Sequence, residues 1–347
     1  MNAKPTTICL GMAVIALCAI SANAAPFTPG NLVLADAADD MLIEVSLGAS
    51  EATVVQVVRW ELGDTSRRRP LGVAFDPSGI CYVGLTGVPT SATEQVEYPA
   101  GRGEILRIFP DGSMYFTVLS TEVTKGTWVS SNAPNEVFVM SNEPPPPFPS
   151  HSFRYRFAGE NVIEETLFDV TMTPQSNGNG GNGKALILPD GRILIPSDMD
   201  PRINIYSDSG GAAIGSIPTS KGYRSLAYIE GTDYLLAIPG TNSVDRIGLD
   251  GTLHGTFDFT IDGLGGVWNF TILADGTERF AVSNHNGPAG SKSMIYIYDA
   301  SDLENIYPDV LPIVGLQNFG DADGRATQLF DHAMVPVPVA VPDWALY

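Results

Sequence analysis

An all-β chain built from copies of one small sheet is what this sequence predicts, and three observations predict it. The first is a beat of short apolar runs broken by tight polar turns. LILPDGRILIP around Pro189-Asp190-Gly191 and LAYIEGTDYLLAI around Glu230-Gly231-Thr232 both read as antiparallel strands joined by hairpins. The second is that this beat recurs at a period of about 40 residues, the spacing of β-propeller blades. The third is composition. With 36 Gly, 26 Pro, 17% charged and 44% hydrophobic residues in 347, the chain suits a turn-rich β protein with a large core.

The chain opens on a segment read as a cleaved signal peptide, residues 1–24. Lys4 supplies the positive start, Ile8–Ile20 the uncharged apolar run, and Ala22-Asn23-Ala24 the small-x-small cleavage site before Ala25. The apolar run is short for a bilayer span, so the mature chain is expected to carry no membrane span and to be secreted or periplasmic. Cys18 follows Leu17, which is larger than lipoprotein sites usually accept. Cys9 and Cys18 leave with the leader. Only Cys81 remains, in the apolar strand GICYVG, where it reads as a buried small hydrophobe.

Six segments follow, with a further strand behind them. Asn31–Arg59 holds three strands. Leu71–Leu119, Gly126–Val170, Gly183–Ile217, Ser225–Phe259 and Asn269–Val314 each hold the strands of one blade. The first segment lacks an innermost strand, and Ala326–Val335, ATQLFDHAMV, offers a spare one. Joining the two closes a six-bladed β-propeller over residues 25–335, with the N- and C-terminal strands sharing one blade and sheet edges removed. The alternative for the last segment is a loose tail. Residues 336–347, PVPVAVPDWALY within this stretch, form a Pro-rich tail that resembles the opening of bacterial C-terminal sorting tails, without their membrane helix and basic end. The other reading is a flexible terminus.

The formal net charge is −20, and loss of Lys4 with the leader makes it one unit more negative. Such a field repels nucleic acid and anionic membranes, so neither is expected as a partner. Cations at one place would then stand out. Aligning the starts of the innermost strands by their following turns brings together Gly72, Trp128, Lys184, Arg224, Asn269 with Trp268 beside it, and Arg325. Guanidinium and ammonium groups suit a carboxylate or phosphate, and indole faces suit sugars or apolar rings. One reading is therefore a small anionic or carbohydrate ligand at the channel mouth. The other is that Trp128 and Trp268 fill the channel while the cations pair with Asp262, Asp321 or Asp323. His285, in the loop SNHNG on the same face, is a candidate general base or metal ligand, or simply an exposed loop histidine. SNGNGGNG at 176–183 lacks the G-K-[ST] ending of a phosphate loop and reads as a connector.

LGVAFDPSGICYVG followed by GEILRIFPDGS resembles an NHL-type repeat, and NGKALILPDGRILIPSD is similar to repeats of the gluconolactonase/senescence-marker superfamily. The likeness runs over most of 31–335 at the level of single blades, so it speaks to fold rather than activity. The second resemblance implies a divalent cation, calcium or zinc, held by Glu, Asn and Asp side chains at the starts of inner strands and used to polarise an ester. Asn182 matches the family's asparagine. The fifth blade has Tyr223-Arg224-Ser225 where the family places an Asp, and Ala326 stands where a Glu is expected. Asp198-Met199-Asp200 and Asp321-Ala322-Asp323-Gly324 lack the later ligands of an EF-hand loop and read as turn residues.

The reading is an exported β-propeller acting as a binding or interaction module, for a small molecule or a protein, at its channel face. The alternative is a metal-dependent lactonase-like hydrolase or lyase. A third is a surface protein whose loops, including the proline run at 144–149, serve adhesion.

Overall fold

The computed structural model describes residues 26–37, 40–60, 68–87, 103–118, 127–141, 152–169, 183–198, 200–229, 231–259, 269–273, 279–283, 294–301, 309–314 and 329–337. The leader 1–24, the proline loop 144–149 and most of the tail lie outside them.

The described residues are all-β. In chain order the strands are Leu32–Asp36 (β1), Met41–Leu47 (β2) and Ala52–Arg59 (β3). Arg68–Phe75 (β4), Cys81–Gly87 (β5), Gly103–Ile108 (β6) and Met114–Val118 (β7) follow. Next come Thr127–Ser130 (β8), Glu136–Ser141 (β9), Ser152–Ala158 (β10) and Asn161–Asp169 (β11). Leu186–Ile187 (β12), Ile193–Pro196 (β13), Arg202–Tyr206 (β14), Gly211–Ala212 (β15) and Gly215–Pro218 (β16) come after these. Then follow Ser225–Tyr228 (β17), Tyr234–Ile238 (β18), Ser243–Gly248 (β19) and Leu253–Asp258 (β20). Thr271–Ile272 (β21), Arg279–Ser283 (β22), Met294–Asp299 (β23), Asp309–Val314 (β24) and Leu329–Met334 (β25) complete the set.

The turns explain the hairpins. Asp76 Oδ1 accepts from the backbone N–H of Ser78 at 2.8 Å and of Ile80 at 3.0 Å, and Gly79 takes φ +87°, a left-handed value that costs glycine nothing. The same aspartate-led turn recurs where Asp111, Asp190 and Asp250 each cap the N–H two residues on.

These strands form five sheets in a propeller-like arrangement. Three have four strands, β4-β5-β6-β7, β12-β13-β14-β16 and β17-β18-β19-β20, and one has five, β15-β11-β10-β9-β8. The last runs β21-β22-β23-β24-β3-β2-β1-β25. The expected six separate sheets are thus not what forms. β24 and β3 meet in parallel through Ile313–Ala52 and Val314–Thr53, fusing two four-stranded runs into one sheet of eight. β25 pairs antiparallel with β1 from Leu32–Met334 to Asp36–Leu329, so the C-terminal strand closes the first sheet along its inner edge.

Apolar seams fill the spaces between sheets. Val33, Val73, Val83, Leu106 and Ala333 pack in one seam, and Leu32, Leu34, Ala281, Ile295 and Leu329 in another. Cys81 is fully buried in the first, and burial pushes its thiol well up, as a small hydrophobe requires. Arginines pin the seams. Arg107 on β6 is buried, donates to the carbonyls of Gly159 and Glu160 at 2.7 Å each, and stacks 3.9 Å from the Phe157 ring centre. Arg246 sits at the matching place of β19 and donates to the Ala300 carbonyl at 3.0 Å. Both come from the motif Arg-Ile-x-x-Asp-Gly, and both reach the turn after the third strand of the next sheet.

Candidate functional site

β4, β8, β12, β17, β21 and β25 are the first strands of successive four-stranded runs. They surround a cavity of about 350 Å³, to which all six contribute residues. At its upstream end lies one buried carboxylate, Asp331, on β25. It is fully excluded from solvent and accepts from the backbone N–H of Val73 at 2.8 Å and of His332 at 2.8 Å. Lys184 Nζ lies 3.1 and 3.0 Å from its two oxygens, and Asn269 Nδ2 donates to it as well. Val73 is 258 residues away in the chain and Lys184 is 147 away.

Asp331 is the hub of a polar girdle. Lys184 also donates to the Val73 carbonyl at 3.3 Å, and its backbone N–H to the Arg224 carbonyl at 2.8 Å. Asn269 Oδ1 accepts from Ser225 Oγ and from the Phe270 N–H at 2.8 Å. Ser130 Oγ donates to the Ala185 carbonyl at 2.7 Å. These bonds link each inner strand to another across the channel or around it. Burial pushes the Asp331 carboxyl above its ordinary value, while Lys184 and the surrounding N–H donors draw it back.

His332 lies beside this hub. Burial, followed by the Lys184 charge, pushes its imidazolium down from 6.5 to about 3, so the ring is neutral at physiological pH. Stability should depend on this. Below 6.5 the unfolded chain takes up a proton that the folded ring refuses, so stability falls as pH falls from 6.5 towards 3, by at most about 1.4 kcal/mol per pH unit. Asp331 titrates with the opposite sign. The clean measurement is therefore wild type minus His332→Phe in denaturant melts across that range, and the wild type should lose more stability on acidification.

The residues singled out from the sequence separate. Lys184 faces the cavity, already paired with Asp331. Arg224 precedes β17 and its Nη2 lies 3.4 Å from Asp198. Its guanidinium crosses Gly240, where an added Cβ would stand 2.6 Å from Nε. Trp128 does not line the cavity; it is 2% exposed and packs with Phe138, Met140, Phe168 and Tyr206 in a seam between sheets. Trp268, Arg325, His285 and Asn182 lie outside the described residues, as do Asp262, Asp321 and Asp323. Asp331, His332, Thr271 and Ser225 are the site residues that turn alignment missed. The signal available for the first two was an acid–histidine pair inside an otherwise apolar strand, LFDHAM.

Among the described residues, no group of three His, Cys, Asp or Glu side chains is placed to hold a metal ion, and no helix is long and apolar enough to cross a membrane. No family model matches the chain, and no curated protein does. Solved structures do resemble it. A protein of unknown function from Bacteroides caccae superposes with a TM-score of 0.58 at 14% identity, over 89% of this chain and 99% of that one. Virginiamycin B lyase from Staphylococcus aureus superposes with a TM-score of 0.50 at 12% identity, over 86% and 89%. At such identities the likeness shows the fold alone, a β-propeller.

Proposed function

We propose that the chain is an exported, six-bladed β-propeller that binds a small anionic or carbohydrate molecule in its channel. The eight-stranded sheet then counts as two blades joined at their outer edges, one of them shared by the chain ends. The NHL-type and gluconolactonase-type turn motifs support this count, and the leader 1–24 supports export. The observation that carries the reading is the cavity itself. At about 350 Å³ it is of the size that takes small ligands, and it is lined from six separate strands. Its walls combine apolar surfaces such as Leu226, Phe270 and Met334 with the polar girdle, the usual mixture of a binding site.

The lactonase-like alternative gains no support from the cavity. Asp331 is the carboxylate beside it, and the Lys184 ammonium 3.0 Å away would repel a divalent cation.

Ligand-observed NMR with a panel of monosaccharides and small carboxylates tests the proposal. Asn132 lines the cavity and is exposed, so Asn132→Trp should narrow the channel without unfolding the chain. Binding to the wild type, weakened at least tenfold in Asn132→Trp at unchanged Tm, is the expected result. Ligands that bind both proteins equally would place the site elsewhere.

A further inference from the structure

The hydrogen-bond donors of this cavity are largely spent on the protein. Lys184 has three ammonium protons and three acceptor atoms around it, Val73 O and both oxygens of Asp331. The single hydroxyl protons of Ser130 and Ser225 go to Ala185 O and Asn269 Oδ1. Ser131 donates to Glu136 O at 2.6 Å and Tyr228 to Thr232 O at 3.0 Å. The described side-chain donors left over are amide protons, those of Asn132 at the rim and one on Asn269.

Thr271 settles the state of His332. Its Oγ1 lies 2.6 Å from His332 O and 2.6 Å from His332 Nδ1. The carbonyl can only accept, so the threonine proton goes to it. Oγ1 must then accept from Nδ1, which carries the imidazole proton. Nε2 is left with a bare lone pair, and this buried atom has no hydrogen-bond partner. His332 and Thr271 both line the cavity.

Resting on the reading of this cavity as a ligand site, we infer that it selects an uncharged, hydroxyl-bearing ligand over an anion. Among the described residues the lining offers mainly hydroxyl lone pairs, on Ser130 and Ser225, and an acceptor-rich lining rewards a ligand that brings protons. An anion brings lone pairs against lone pairs. Lys184, the cation that would have drawn an anion in, is neutralised by Asp331. The class follows from proton accounting and reverses the weight that the cations alone would give.

Calorimetric titration of the full mature chain with glucose, glucuronate and glucosamine tests this, because the three share a ring and differ in charge. Glucose bound at least tenfold tighter than glucuronate is the expected result, and glucuronate bound equally or more tightly overturns the inference while leaving the cavity a ligand site. If none of the three is displaced or weakened by Asn132→Trp, the cavity reading itself fails, and this inference with it.

Discussion

Replacing Asp331 with alanine is expected to destabilise the chain by about 3–5 kcal/mol, the cost of leaving a mostly buried charge without its partner. The change orphans the Lys184 ammonium, the N–H groups of Val73 and His332, and the Asn269 amide together. Lys184→Met should cost a similar amount, since it leaves a fully buried carboxylate without its cation. The two losses are one loss counted twice. The double variant Lys184→Met/Asp331→Leu should therefore be far more stable than the sum of the singles predicts, a coupling read by denaturant unfolding at neutral pH. Asp331→Asn keeps the shape and one acceptor oxygen and should fall between wild type and alanine. Additive losses would mean that the two side chains do not meet across the channel.

Arg107→Ala carries the second large effect. The buried Arg107 guanidinium holds two carbonyls of an exposed turn in the next sheet and covers the buried Phe157 ring. Charge-assisted bonds of this kind and the ring contact together put the loss at about 3 kcal/mol. Arg246→Ala removes one carbonyl bond and the contacts over the Tyr234 and Phe257 rings from a half-buried copy of the same device, and should cost less, about 1–2 kcal/mol. Thermal melts of both variants check the order. Equal effects would contradict this order and mean that the deeper burial of Arg107 and its second carbonyl bond add nothing.

That repeat is the part of the molecule most legible in the sequence. Each Asp-Gly or Asp-x-x-Gly turn is closed by contacts two to four residues apart, so Asp76, Asp111, Asp190 and Asp250 announce their hairpins locally. Turn alignment also placed Lys184 and Asn269 at the starts of inner strands, and both stand at the cavity. Trp128 was aligned by the same rule yet turns into a seam. Successive residues of a strand point to opposite sides, and a register known to one residue does not decide between them. The spare strand of Ala326–Val335 was legible from the strand count, and its pairing with β1 follows. Asp331 was not, because its partners come from chain positions 147 and 258 residues away and no local motif joins them. Fusion of two runs into a sheet of eight was equally hidden, since it rests on two parallel residue pairs at an outer edge.

Amide hydrogen exchange at Val73 tests the ring most directly. Its N–H reaches only one side-chain acceptor described here, the Asp331 carboxylate of the C-terminal strand, so it is protected only while that strand is seated. Exchange that proceeds only through global unfolding in the wild type, and accelerates at least a hundredfold in Asp331→Ala under conditions where that variant stays folded, is the predicted result. Rapid exchange at Val73 in the wild type would contradict a ring closed through Asp331.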